Sequence, residues 1–414
     1  MTAVGAETMK KLNAGITAPK GYRAAGVFCG IKKKKLDLAM LTSDIPAQAA
    51  GAFTRNVVCA APVHWDRRII ALGSPVSAVV INSGNANACT GKQGMEDTEA
   101  MAKLTGTLLG TPMDAVLICS TGVIGVPLPM EQVSSGITAA SAELGRGSAK
   151  DDDAAQSILT TDTFIKQECV EIDIEGTPVR IAGIAKGSGM IHPNMATMLS
   201  FILTDAAVEE GLLQELLGSS IQDSYNMISI DGDTSTNDTV LALANGAAGN
   251  PVITRNSKHL ETFTEAFDAV NASLARQIVL DGEGATKFIE ARVSGAPSKE
   301  DARKLVKSVI TSNLVKTAFF GEDANWGRIL CAMGYSGAFF TPETTRLEIS
   351  SAGGSLLLLD EGTPAGFDEA QALKVLKERE ITITITLSDG SDSAAAWGCD
   401  LSYEYVKING EYRT

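Results

Sequence analysis

Histidine is scarce in this 414-residue chain, which has three, at positions 64, 192 and 259. No two lie at a spacing suited to one metal ion, and a hydrolase triad centred on histidine would have to use one of these three. Cysteine is dispersed: seven residues stand singly at 29, 59, 89, 119, 169, 331 and 399, an odd number with no C-x-x-C pair. That pattern encodes neither a disulfide framework nor a zinc site, and it suits a reducing cytoplasm. Positive charge is also short. A net charge of -14 argues against nucleic acid or an anionic membrane as partner, because both need a concentrated cationic face. The one basic run, Lys32 to Lys35, reads as a solvated turn. No apolar run approaches the roughly 18 to 20 residues of a membrane span, and the opening MTAVGAETMKKLNAG has no long apolar stretch of the signal-peptide kind, so a soluble, unexported chain is expected.

What is present is 44% hydrophobic residues and 40 glycines with 5% aromatics, the composition of an α/β protein with many tight turns. The length allows two or three domains, or two large halves around one core. Ser77–Ile81 reads as a strand leading through NSGNANACTG into a helix over Glu96–Leu109. Ala115–Ser120 repeats the pattern before a helix from Met130 to Leu144. Asp151 to Asp153 suit the positive first turn of a helix. Gln167–Ile174 and Thr177–Ala185 flank Glu175-Gly176 as a hairpin. Helices are predicted over Val208–Gln222 and Lys258–Leu280, and near Phe367–Lys377. Strands are predicted at Thr239–Asn245, Leu347–Ser350, Ser355–Leu359 and, by strict alternation, EITITITLSD at Glu380–Asp389. No Gly/Ser or Pro-rich linker separates these parts, so interlocked layers are expected.

The segment GMIHPNMATMLSFILTD (Gly189–Asp205) places Thr197 between a helix-breaking run and a buried apolar strand, Met198–Leu203. Threonine is a good strand residue, and read alone the segment favours that ordinary role. A second role needs a base beside the hydroxyl. With histidine scarce, a cut before Thr197 would free an α-amine of pKa roughly 7.7 to 8.0 on the nucleophile's own residue. Ala196 is small enough to let the hydroxyl reach the preceding carbonyl. His192 is close by, yet a structural histidine beside Pro193 is the simpler reading. Lys186-Gly187-Ser188-Gly189 lacks Walker spacing, which sets nucleotide binding aside.

Six motifs decide between the two roles: KGSGMIHPNMATML (Lys186–Leu199), TTDTFIK (Thr160–Lys166), STGVIG (Ser120–Gly125), DGEGATK (Asp281–Lys287), GEDANWGRI (Gly321–Ile329) and the terminal YVKINGEYRT. In this order, from about Val27 to Thr414, the chain resembles the ornithine acetyltransferase family, the bifunctional glutamate N-acetyltransferases of arginine biosynthesis. The resemblance implies self-cleavage between Ala196 and Thr197, giving an α chain of residues 1–196 and a β chain of residues 197–414. Thr197 would take the acetyl group of N-acetylornithine and pass it to glutamate by ping-pong transfer.

The resemblance further implies that Thr121 and Gly122 form the oxyanion hole. Thr163, Lys186, Thr197, Glu283, Asn409 and Thr414 would contact substrate, with Lys186 pairing a carboxylate and Glu283 holding the amine of ornithine. It implies an α/β fold, a layered α+β sandwich of the N-terminal-nucleophile type in which both chains share the core, and a cytoplasmic α2β2 heterotetramer. No metal or cofactor is implied, and some members also use acetyl-coenzyme A as a donor. Two rivals remain at this point: a related self-processing aminopeptidase or amidohydrolase, which passes the acyl group to water, and an uncleaved binding protein.

Overall fold

The computed structural model describes residues 9–192 and 198–411. Among these residues the strands form two sheets. In the nine-stranded sheet, neighbours run Met9–Lys11, Lys166–Ile174, Thr177–Lys186, Leu199–Thr204, Thr239–Ala244, Leu38–Phe53, Val76–Asn85 and Val116–Val123, with Tyr22–Val27 also paired to Leu38–Phe53. The seven-stranded sheet runs Thr363–Pro364, Gly354–Asp360, Arg346–Ser351, Glu380–Thr386, Phe288–Ala296, Asp392–Cys399 and Ile228–Ser229. Helices cover the sheets, giving the mixed α/β layering that composition and patterning led us to expect. No helix among the described residues is long and apolar enough to cross a membrane.

The two strand–loop–helix units are present. Val76–Asn85 pairs in parallel with Val116–Val123, and each is followed by a helix, Gly91–Leu109 and Met130–Glu143. The hairpin at Glu175-Gly176 joins Lys166–Ile174 to Thr177–Lys186 in antiparallel register. Helix Leu260–Leu280 buries Phe263, Phe267, Val270 and Leu274, one face at helical spacing, against that hairpin. Glu380–Thr386 alternates buried Ile381, Ile383 and Ile385 with more exposed threonines, as its period of two requires.

Three expectations shift. Leu38–Phe53 is a 16-residue strand that the sequence conceals, because Asp44 and Pro46 interrupt it; both are exposed where the pairing with Val76–Asn85 changes register. Asp151 does sit in the first turn of helix Ser148–Ser157, but it is buried and its carboxylate accepts the backbone N–H of Thr17 at 2.9 Å, so it anchors a distant loop as well as facing the helix dipole. Within the basic run, Lys33 to Lys35 are exposed as predicted. Lys32 instead turns inward and donates to the Leu159 carbonyl at 2.9 Å.

The two halves of the chain are not separable bodies. Leu199–Thr204 lies between Thr177–Lys186 and Thr239–Ala244, and the last of these pairs with Leu38–Phe53. A single apolar core contains Val170 and Ile181 from before residue 196 together with Phe267 and Leu274 from after it. A buried ion cluster adds to this. The Lys166 ammonium, fully buried, lies 2.7 Å from Asp162 and 2.6 Å from Asp281. Removing only the cation would leave two carboxylates facing each other out of water. Lys166→Met should therefore destabilise the protein by about 3–5 kcal/mol, measured as a lower urea unfolding midpoint; a midpoint equal to the parent's would show that the carboxylates do not depend on this lysine.

Candidate active site

Strand ends converge at one side of the nine-stranded sheet. Because Thr177–Lys186 and Leu199–Thr204 are antiparallel with Lys186 opposite Leu199, the end of one strand meets the start of the next. Leu199–Thr204 and Thr239–Ala244 are parallel with Leu199 opposite Thr239, so their starts are adjacent as well. The sheet curls far enough that Thr121, on its last strand, comes within 3.4 Å of the Lys186 ammonium. Together these ends border a cleft of about 150 Å³, closed on another side by the Glu283 loop and by helix Tyr403–Glu411.

Of the residues singled out in the sequence, Thr121, Gly122, Lys186, Glu283 and Asn409 all line this cleft, as does Met198. Gly122 has φ +134°, and a methyl group there would collide with the backbone of Gly84 and Asn85; the site tolerates only glycine. Lys186 is buried, and burial lowers its pKa, with Asp162 drawing it back up. Glu283 is held at both ends: its N–H donates to Ser188 O at 2.8 Å and its carboxylate accepts from Asn409 Nδ2 at 2.8 Å. Gly189 packs directly on that carboxylate, so a side chain there would have to push the Glu283 carboxylate aside.

Thr163 is placed differently. Its N–H and hydroxyl both donate to Asp281, and Thr160 and Thr161 line the cleft in its place, Thr161 joined to Ser188 by a 2.7 Å hydroxyl pair. Ala196, Thr197 and Thr414 lie outside the described residues. His192 does not line the cleft; its Nδ1 lies 3.1 Å from Ser229 Oγ.

Sequence reasoning missed the cleft wall formed by SIDGDTSTND (Ser229–Asp238), whose Asp231, Asp233, Asn237 and Asp238 all line it. A signal was available, since a dense polar run stands directly before the buried strand Thr239–Ala244. Asp231 accepts the N–H groups of Met190 at 2.6 Å and Ile191 at 2.8 Å, which holds Met190 at φ +57°. Burial pushes Asp238 well above the usual carboxylate range, partly opposed by Ser235 and by the charge of Lys186. A cleft with one buried ammonium among several carboxyl groups suits a zwitterionic amino acid: the ammonium can pair a carboxylate, and Glu283 an amine.

Burial, and then the charge of Lys307, lowers the His192 pKa to about 4. The unfolded chain takes up that proton near 6.5, so between these values the fold binds fewer protons. The stability His192 contributes is fully present above pH 6.5 and is lost as pH falls toward 4. His192→Asn should flatten the fall in thermal unfolding midpoint between pH 7 and 5; an unchanged slope would assign that fall to other groups.

Residues 23–414 match the model of the ArgJ family. The arginine biosynthesis bifunctional protein of Symbiobacterium thermophilum is 54% identical over 410 residues, covering 98% of this chain and all of that protein. The protein of the same name from Caldanaerobacter subterraneus subsp. tengcongensis is 51% identical over 406 residues, again 98% of this chain and all of the relative. The crystal structure of the arginine biosynthesis bifunctional protein from Bacillus halodurans is similar at 44% identity and a TM-score of 0.50, covering 52% of this chain and 100% of that one. On these matches, which span nearly its whole length, the chain belongs to the ArgJ family.

Proposed function

We propose that this acetyltransferase of arginine biosynthesis moves the acetyl group of N-acetylornithine to glutamate through an ester on Thr197, after cutting its own chain before that residue. The observation that carries the reading is the meeting of Thr121, Gly122, Lys186 and Glu283 in a cleft that is also lined by Met198, the residue bonded to Thr197.

In the cut, the Thr197 hydroxyl attacks the Ala196 carbonyl, the amide becomes an ester, and water hydrolyses the ester to leave a free α-amine on Thr197. In turnover that amine takes the hydroxyl proton as the oxygen attacks the acetyl carbonyl. The Thr121 hydroxyl accepts from Lys186, so its own proton is available to the developing oxyanion beside the Gly122 N–H. The tetrahedral intermediate collapses, the C–N bond breaks, and ornithine leaves with the proton. The amine of glutamate then attacks the acetyl ester and the same steps run in reverse, regenerating Thr197. Lys186 pairs a substrate carboxylate, while Glu283, held by Asn409, takes the cationic amine of ornithine. Thr414 completes the substrate contacts, while Thr163, bonded to Asp281, holds the loop from which Thr160 and Thr161 face the cleft.

The second activity uses the same ester, loaded from acetyl-coenzyme A. No metal or cofactor enters any step. The products of the cut, residues 1–196 and 197–414, stay together through the shared sheet and core, and two such pairs form an α2β2 enzyme of the cytoplasm. The solved chain from Bacillus halodurans matches about half of this chain, a length in keeping with a cut near the middle.

Intact mass measurement after expression at neutral pH should give two chains divided between Ala196 and Thr197, whereas Thr197→Ala should give one uncut chain without transferase activity. A single uncut parent chain, or a cleaved and active variant, would overturn the reading. Incubated with N-acetylornithine, the enzyme should release ornithine much faster when glutamate is present. Equal release of acetate with and without glutamate would make it a hydrolase.

A further inference from the structure

The cleft wall Ser229–Asp238 contains one side chain whose hydrogen bonds reach both parts of the proposed machinery. Asn237 is buried, at 6% exposure. Its Nδ2 donates one proton to Ser120 O at 2.8 Å and the other to Ala86 O at 2.6 Å. Both acceptors are carbonyl oxygens, so the amide nitrogen must face them, and the two protons it carries are both used. Its Oδ1 accepts from the Thr236 hydroxyl at 2.5 Å, which fixes the remaining end of the amide.

Ser120 O belongs to the peptide that leads into Thr121. Because a peptide is planar, holding its oxygen fixes the plane from which the Thr121 side chain and the Gly122 backbone continue. Ala86 lies against the same strand end, its own N–H donating to Val123 O at 2.9 Å. The amide thus bridges the two chain segments on either side of Thr121 and Gly122. Two residues further on, the Thr239 N–H donates to Met198 O at 2.9 Å, and the Thr239 hydroxyl returns to Asn237 O at 3.0 Å. Asn237–Thr239 is therefore a three-residue ruler: one end holds the Thr121–Gly122 strand end and the other holds the residue that follows Thr197.

We infer that Asn237 is a positioning residue, which sets the Thr121 and Gly122 donors at their working distance from the strand that begins at Met198. The inference rests on the oxyanion role given above to Thr121 and Gly122. It has added weight in a self-cut enzyme. Ser120 lies before the expected cut and Asn237 after it, so once Ala196 and Thr197 part, the register between donors and nucleophile depends on noncovalent ties such as this amide.

Asn237→Asp keeps the size and removes both donors, setting oxygens against two carbonyls. Positioning predicts a fall in kcat for acetyl transfer of about 100-fold with KM for N-acetylornithine held within about threefold, since small misplacements act on the transition state. Formation and breakdown of the acetyl-enzyme should slow by the same factor, because both pass the same donors. The rates are taken per active site, counted from the acetyl-enzyme formed in a single turnover. A kcat per active site equal to the parent's, even with fewer active sites or a raised KM, would overturn the inference and leave Asn237 a structural residue.

If Asn237→Asp does not fold or cut itself, Thr236→Val carries the test by removing only the hydroxyl that orients the amide; a three- to tenfold lower kcat supports the role, and an unchanged kcat overturns it. Thr121→Val separates this from the reading beneath it. Unchanged kcat in Thr121→Val defeats the oxyanion assignment, whereas an impaired Thr121→Val beside a parent-like Asn237→Asp defeats only the positioning role.

Discussion

The buried ammonium of Lys166, held between Asp162 and Asp281, is the tie on which the cleft depends. Each carboxylate also organises backbone. Asp162 accepts the N–H of Gly187 at 2.7 Å and that of Thr160 at 3.0 Å, and Asp281 accepts the N–H of Thr163 at 2.9 Å. One ion cluster thereby fixes the Thr160–Thr163 loop, the end of strand Thr177–Lys186 and the end of helix Leu260–Leu280. Lys186, Gly189 and Glu283 follow within a few residues of these anchors. Burial alone would raise the Asp162 pKa; Lys166, Lys186 and the Gly187 N–H outweigh it and hold the carboxyl well below its usual range. Two carboxylates around one lysine leave a negative surplus, and Lys186 at the cleft answers it. The cation proposed to meet substrate is thus kept in place by the cluster that shapes the site.

The topology suits the proposed division of the chain. Leu199–Thr204 begins two residues after the proposed cut, yet hydrogen bonds on both edges hold it inside a sheet built mostly from the first half. Tyr22 is fully buried and donates from its hydroxyl toward the carbonyls of Thr204 and Leu243, so an early strand is pinned to two later ones. These bonds do not rely on continuity at residue 196. They allow the segment before Thr197 to change covalently without loss of the fold, and they give a new amino terminus a rigid strand to stand on.

Local elements were legible because burial imposes periodicity on a few adjacent residues. Helix Leu260–Leu280, the Glu175-Gly176 hairpin and the alternating Glu380–Thr386 strand all declared themselves in this way. Leu38–Phe53 did not, since Pro46 reads as a break wherever the register shift beside it is unknown. At the site, Thr121, Gly122, Lys186, Glu283 and Asn409 were reached through motif resemblance, and they share one cleft. What no local pattern carries is a contact across the chain. Thr163 and Asp281 are 118 residues apart, so TTDT could be read as substrate contacts although its last hydroxyl is engaged by the ion cluster. Asn237 to Ser120 spans 117 residues, and the wall from Asp231 to Asp238 went unnoticed for the same reason.

In the proposed transfer, Thr197 carries the acetyl group from one amino acid to the next. The direct measurement is peptide mass mapping of enzyme quenched after mixing with N-acetylornithine in the absence of glutamate. The account predicts one acetyl group on the peptide that begins at Thr197, removed when glutamate is added before the quench. Turnover with no acetylated peptide, or with the acetyl group on another residue, would contradict it.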